Sequence, residues 1–262
     1  MSDNLTYRIL GHDMQIVEID LEAGQTIIAE AGAMNYMDDG ITYESVLGDG
    51  SRASEDIVDQ LLGAGKRAIM GESLFLTHFT NISGGRRTIA FAAPYPGSIV
   101  PLELANLGGE FICQKDAFLC AGRGVRLDIA FTRNIGVGLF GGEGFILEHL
   151  SGRSQAFLHA GGTVVRKELT GGQILVDTGS LVGFTTGIAY DITAAGGLRS
   201  MLFGGEGAFL ARLSGTGIVY LQSLPFARLA RRVLQQVATR RPTDEGSILG
   251  GLGNIIMGGW RR

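Results

Sequence analysis

A hexapeptide that returns unchanged limits what this chain can become. Leu139-Phe140-Gly141-Gly142-Glu143-Gly144 recurs as Leu202-Phe203-Gly204-Gly205-Glu206-Gly207, an offset of 63 residues. The same offset carries Leu150-Ser151-Gly152 onto Leu213-Ser214-Gly215, Gly124 onto Gly187 and Asp128-Ile129 onto Asp191-Ile192. It holds without a gap from 108–158 to 171–221. A third, more divergent copy lies nearer the N-terminus. There Gly24, Ile27, Ile28, Gly32, Met34, Gly40 and Ile41 align with Gly171, Ile174, Leu175, Gly179, Leu181, Gly187 and Ile188, and Glu30 falls on Asp177. Ala29, Cys113 and Val176 share one position, and Tyr36, Cys120 and Gly183 share another. Gly71-Glu72 matches Gly142-Glu143, and His78-Phe79 matches His149-Leu150. Repeats of this length are supersecondary units that bury little alone and must pack on one another.

The repeats read as strands. Thr26–Ala29, Phe111–Cys113 and Ile174–Val176 are short apolar runs ending near a polar residue. Phe145–Leu150 and Ala208–Leu213 lead into Ser-Gly, with Ala156–His159 and Val219–Gln222 beyond, and two runs separated by Leu-Ser-Gly predict a hairpin. The 42 glycines against 5 prolines suit many tight turns, since glycine takes positive φ at low steric cost. The expected fold is all-β, with units at 1–98, 99–162 and 163–225. The first unit carries an insertion near 51–67. That insertion reads as a short helix capped by Ser54, with Ile57, Val58, Leu61 and Leu62 on one face. After Pro225 the spacing of Leu229, Val233, Leu234 and Val237 predicts an amphipathic helix over 226–241, succeeded by a Gly-rich apolar tail over 242–262.

The three-copy pattern, the Leu-Phe-Gly-Gly-Glu-Gly boxes and Glu30-Ala31-Gly32-Ala33-Met34 resemble a bacterial and archaeal family. It is the family related to the mitochondrial-biogenesis protein "altered inheritance of mitochondria 24", and the likeness covers most of Tyr7 to Phe226. The resemblance implies a fold similar to the tryptophan RNA-binding attenuation protein: a shortened double-stranded β-helix, sandwich-like, three per chain with pseudo-threefold symmetry. It further implies homotrimers that make rings of nine units. It brings no catalytic residues.

The residues themselves bound the function. Net charge is −4 and the pI near 5.6, so binding of duplex DNA through a uniformly basic surface is not expected. Residues 1–10 carry neither a basic segment nor an apolar one, so no signal peptide is read there, and a cytoplasmic location is expected. On that ground the glycosylation patterns at Asn4 and Asn81 are set aside. The repeat-equivalent glutamates Glu72, Glu143 and Glu206 are the candidate site. They would bind a cation if they converge on a pseudo-threefold axis, but recurrence in every copy favours a structural turn in which the carboxylate accepts backbone N–H bonds. Gly136, Gly138 and Gly141 spell a dinucleotide fingerprint, yet the residues after Gly141 are strand-like rather than helical, so the fingerprint is rejected. His12, His78, His149 and His159 have no metal-ligand spacing, and nothing positions His159 in a triad. Cys113 and Cys120 read as buried free thiols. No catalytic, metal or cofactor site is therefore expected.

These readings favour a non-enzymatic oligomeric scaffold, a homotrimer, with the C-terminal helix either packed on the body or lying on a membrane surface. The alternative is an RNA- or small-ligand-binding ring. It draws on the basic pairs Lys66-Arg67, Arg86-Arg87 and Arg166-Lys167, which lack interleaved aromatics. An enzyme using a repeat glutamate ranks last.

Overall fold

The structure, a computed structural model, describes residues 4–47, 75–133, 145–194 and 209–238. By its contacts the chain divides into two units, 1–227 and 228–262. The described residues of the first form antiparallel β-sheets, as the sequence predicts. The insertion at 51–67, the glycines of the rejected fingerprint and the tail from 239 onward lie outside the described residues.

Seventeen strands are described. One sheet runs β1 (Thr6–Leu10), β2 (Ile16–Leu21), β7 (Arg87–Phe91), β4 (Met34–Met37). A second runs β5 (Ile41–Leu47), β6 (Phe75–Asn81), β3 (Thr26–Glu30), β10 (Phe118–Gly122), β13 (Gln155–Gly161), β8 (Gly97–Glu103). The third runs β11 (Arg126–Arg133), β12 (Phe145–Ser151), β9 (Glu110–Gln114), β15 (Leu181–Phe184), β17 (Phe209–Gln222), β14 (Val164–Asp177), and β16 (Ile188–Ala194) also pairs with β17.

The apolar runs form strands without strict polar alternation because they are buried on both faces, a pattern that alternation alone would miss. In β3, Ile27 and Ala29 face one core while Ile28 faces the next. In β10, Cys120 and Ala121 divide in the same way, as do Phe157 and Leu158 in β13. The middle sheet is thus a wall between two cores. The third core gathers Phe145, Leu147, Leu181, Phe184 and Leu213. Fully burying one such side chain stabilises by about 1.5–3 kcal/mol, so each shared wall contributes to two cores at once.

Three pairings carry the same irregularity. The register of β4 on β7 shifts between Met34 and Tyr36, that of β10 on β13 between Phe118 and Cys120, and that of β15 on β17 between Leu181 and Gly183. A bulge of this kind bends the strand and strengthens its twist.

One expectation is overturned. Leu150-Ser151-Gly152 does not turn a hairpin: β12 pairs with β11 and β9, whereas β13 pairs with β10 and β8 in another sheet. The Ser-Gly step carries the chain from one sheet to the next. The glycine is needed because the backbone closes on a neighbouring carbonyl. A Cβ at Gly152 (φ +147) would lie 2.6 Å from the Gly124 oxygen, and one at Gly215 (φ +123) 2.4 Å from the Gly187 oxygen.

The described C-terminal helix α1 (Phe226–Ala238) fits the predicted spacing. Among the described residues no helix is long and apolar enough to cross a membrane.

Candidate functional site

Glu72, Glu143 and Glu206 lie outside the described residues, so their convergence has no structural account. The titratable groups that the structure does bring together are others, at the junction of the second and third sheets.

β9 passes into β10 through the tight 3-10 turn Lys115–Ala117. Glu30 ends β3, which pairs with β10. By strand alternation it shares the face of Ile28, at the end of the core between the two sheets. Glu148 lies in the middle of β12, opposite Cys113 of β9, and is only 4% exposed. Its Oε2 has no hydrogen-bond partner among the described residues. Burial pushes the Glu148 carboxyl up to about 8; the charges of Glu30 and Asp116 add to the rise, and Lys115 opposes it. Glu30 is pushed up to about 7, first by burial and then by Asp116, again against Lys115. A carboxylate without a full set of partners is costly in such surroundings, so both groups favour the protonated form.

Tyr95 borders this group. Its hydroxyl donates to the Asp116 carbonyl at 3.4 Å, and its ring meets that of His159 edge-on at 4.5 Å. Burial raises the Tyr95 phenol, with help from Asp116 and Glu30. Burial takes His159 down to about 4, against a bond to the Tyr95 backbone, so it is a neutral core histidine. The arrangement can hold protons near neutral pH. The Cys113 thiol opposite Glu148 is raised by its own burial, then by Glu148 and Glu30, which makes it inert as a nucleophile.

Cys113 and Cys120 are both fully buried and unpaired to one another. We expect native protein to react with a chromogenic thiol reagent only as fast as it unfolds, and both thiols to appear at once in denaturant. Rapid labelling of either in the native state would contradict this packing.

The remaining histidines do not meet. His12 is exposed, and His149 sits 3.7 Å from Glu110 in a half-exposed pair. Among the described residues no group of histidine, cysteine, aspartate and glutamate could hold a metal ion. The arginines of the described basic pairs are engaged locally: Arg86 bridges to Glu22, Arg87 donates to the Asp39 carbonyl and Arg166 pairs with Glu168. Lys66 and Arg67 lie outside the described residues.

The Glu30–Glu148 pair was open to sequence reasoning in one respect. Glu148 interrupts Phe145-Ile-Leu-x-x-Leu150 at a position filled by Ala211 in the next copy, and a charge on a core position is a signal. Its neighbour Glu30 is remote in sequence, so nothing in the sequence pairs them.

A family model described as Mitochondrial biogenesis AIM24 matches residues 7–224. An uncharacterized protein of Streptococcus pyogenes serotype M6 is 30% identical over 245 residues, covering 91% of this chain and 94% of that protein. The crystal structure of a Streptococcus pyogenes protein superposes with a TM-score of 0.70 at 25% identity, over 88% of this chain and 99% of that one.

Proposed function

The chain belongs to the mitochondrial biogenesis AIM24 family, and we propose that it acts as a non-enzymatic oligomeric scaffold. In this reading three copies of one sandwich unit, similar to the tryptophan RNA-binding attenuation protein, form an arc, and three chains assemble into a ring. The observation that carries it is the way strands are shared between successive stretches of the chain. β3 joins the first stretch to the second by pairing with β10, and β9 joins the second to the third by pairing with β15. The recurring bulge at Met34, Phe118 and Leu181 supports equivalence of the three stretches. An arc of this kind leaves one unused joining edge at each end, and repeat architectures bury such edges by further association.

The reading carries a cytoplasmic location, with α1 as the part that meets a membrane surface. Its support is the exposed Val233 and Leu234 beside Arg231 and Arg232. Native mass spectrometry on protein isolated gently from its host, after membranes are separated, tests all of this. The expected mass is three chains of 27.7 kDa each. A single-chain mass at micromolar concentration overturns the ring. Added mass from nucleotide or another small molecule moves the ligand-binding reading to first place. A membrane-bound fraction that survives removal of 228–262 removes the role of α1.

A further inference from the structure

The strand edges differ sharply in how they are protected. Exposed edges invite pairing with other chains, and proteins blunt them with charges or proline. β1 carries Arg8, β5 carries Glu44, β8 carries Pro101 and Glu103, β11 carries Arg126 and Asp128, and β16 carries Asp191. The first half of β14 carries Arg166, Lys167 and Glu168. Two edges carry no charge at the positions that would pair. β4 reads Met34-Asn35-Tyr36-Met37, and the second half of β14 reads Gly172-Gln173-Ile174-Leu175-Val176 before its closing Asp177, whose carboxylate accepts the Gly179 N–H. Each ends its sheet among the described residues.

The same two edges match the faces used inside the chain. At the first internal junction Cys120 lies opposite Ala29 and Ala121 opposite Ile28; at the second Gly183 lies opposite Cys113 and Phe184 opposite Ile112. The repeat alignment makes β4 the equivalent of β10 and β15, and the second half of β14 the equivalent of β3 and β9. Side chains buried at the internal junctions are exposed at the ends. Phe118 is 2% exposed and its equivalent Met34 37%; Ile28 is 1% exposed and its equivalent Leu175 55%.

We propose that the outer edge of β4 in one copy pairs antiparallel with the second half of β14 in the next copy, head to tail, with Tyr36 opposite Val176 and Met37 opposite Leu175. The proposal rests on the oligomeric reading above and names its interface. The two partner surfaces are different, so the contact is heterologous and propagates around a ring instead of closing a twofold dimer. Each contact satisfies backbone donors and acceptors that end a sheet in the lone chain, and covers Met34, Tyr36 and Leu175.

The test is chemical cross-linking of the full chain carrying Met37→Cys and Leu175→Cys together, with a short bismaleimide; the native cysteines are buried and do not compete. The expected result is a denaturation-resistant ladder of two and three chains, with each single variant remaining one chain. Cross-linking by either single variant shows a twofold contact and overturns the head-to-tail arrangement. A double variant that links only within one chain shows that the edges meet each other, and also overturns it. No ladder alongside a three-chain native mass places the interface elsewhere and leaves the scaffold reading standing, whereas a one-chain native mass removes both.

Discussion

Replacing Gly183 by alanine is expected to lower the melting temperature by about 10 °C. Gly183 sits in β15 where that strand meets β9, opposite Cys113. A Cβ there would lie 2.5 Å from Phe111 Cε1, 2.6 Å from the Ile112 carbonyl oxygen and 3.1 Å from the Cys113 Cα. Two of these are backbone atoms held by the sheet, so the strain cannot be relieved by rotating one side chain. Inserting a methyl group into a packed interior costs roughly 1–3 kcal/mol, and the upper end applies where backbone must move. At about 2–4 °C per kcal/mol for a domain of this size, that gives the expected shift. Gly84, where an added Cβ meets nothing within 4 Å, supplies the control: Gly84→Ala should melt close to the parent. Thermal denaturation monitored by circular dichroism reads both. A Gly183→Ala protein that melts with the parent would mean that β9 and β15 are not in the contact described.

Gly183 also shows how far sequence reasoning reaches. The 63-residue offset predicts that Cys120 and Gly183 occupy one structural position, and both do lie opposite the equivalent residues Ala29 and Cys113. The all-β class, most of the short strands and the helix after Pro225 can be read from local runs and spacing. What local reasoning misplaces is the partner of each strand. Leu150-Ser151-Gly152 looks like hairpin punctuation, because an apolar run, a polar turn and another apolar run are what a hairpin shows. The same signal arises when a chain crosses between sheets, and only the pairings of β12 and β13 separate the cases. The first copy makes this clearer still. There Asn81 stands where the others have glycine, and its buried side-chain amide donates to the Leu21 and Gly85 carbonyls. One physical task is met by two different residues, so the divergence hides the likeness. The candidate glutamates recur in every copy, whereas buried Glu148, whose carboxyl feels the charge of Glu30, is replaced by Ala211 in the next copy. Glu30 and Glu148 belong to strands in different sheets, and recurrence cannot detect what only one junction contains.

That pair contributes a pH dependence to stability. An unfolded Glu148 titrates at its ordinary value near 4.5, and the folded one at about 8. Below pH 4.5 the carboxyl is protonated in both states and costs nothing. Between pH 4.5 and 8 the unfolded chain releases this proton while the folded chain keeps it, so the folded state binds more protons and stability falls as pH rises. Each pH unit across that window removes up to about 1.4 kcal/mol, and the loss reaches about 4 kcal/mol by pH 8 once partial titration at its ends is allowed for. Glu30, raised to about 7 by the same burial and by Asp116, pulls in the same direction over a narrower range. Glu148→Gln keeps the shape of the side chain and removes its titration. We therefore expect the stability of Glu148→Gln relative to the parent to rise by about 3.5 kcal/mol between pH 5 and pH 8. Urea denaturation at both pH values measures the difference. Parallel stability–pH curves for the two proteins would show that Glu148 titrates in the fold as it does in the unfolded chain, and that its burial does not hold the proton. A gap that opens with rising pH shows instead that the junction tolerates a carboxyl only as the neutral acid.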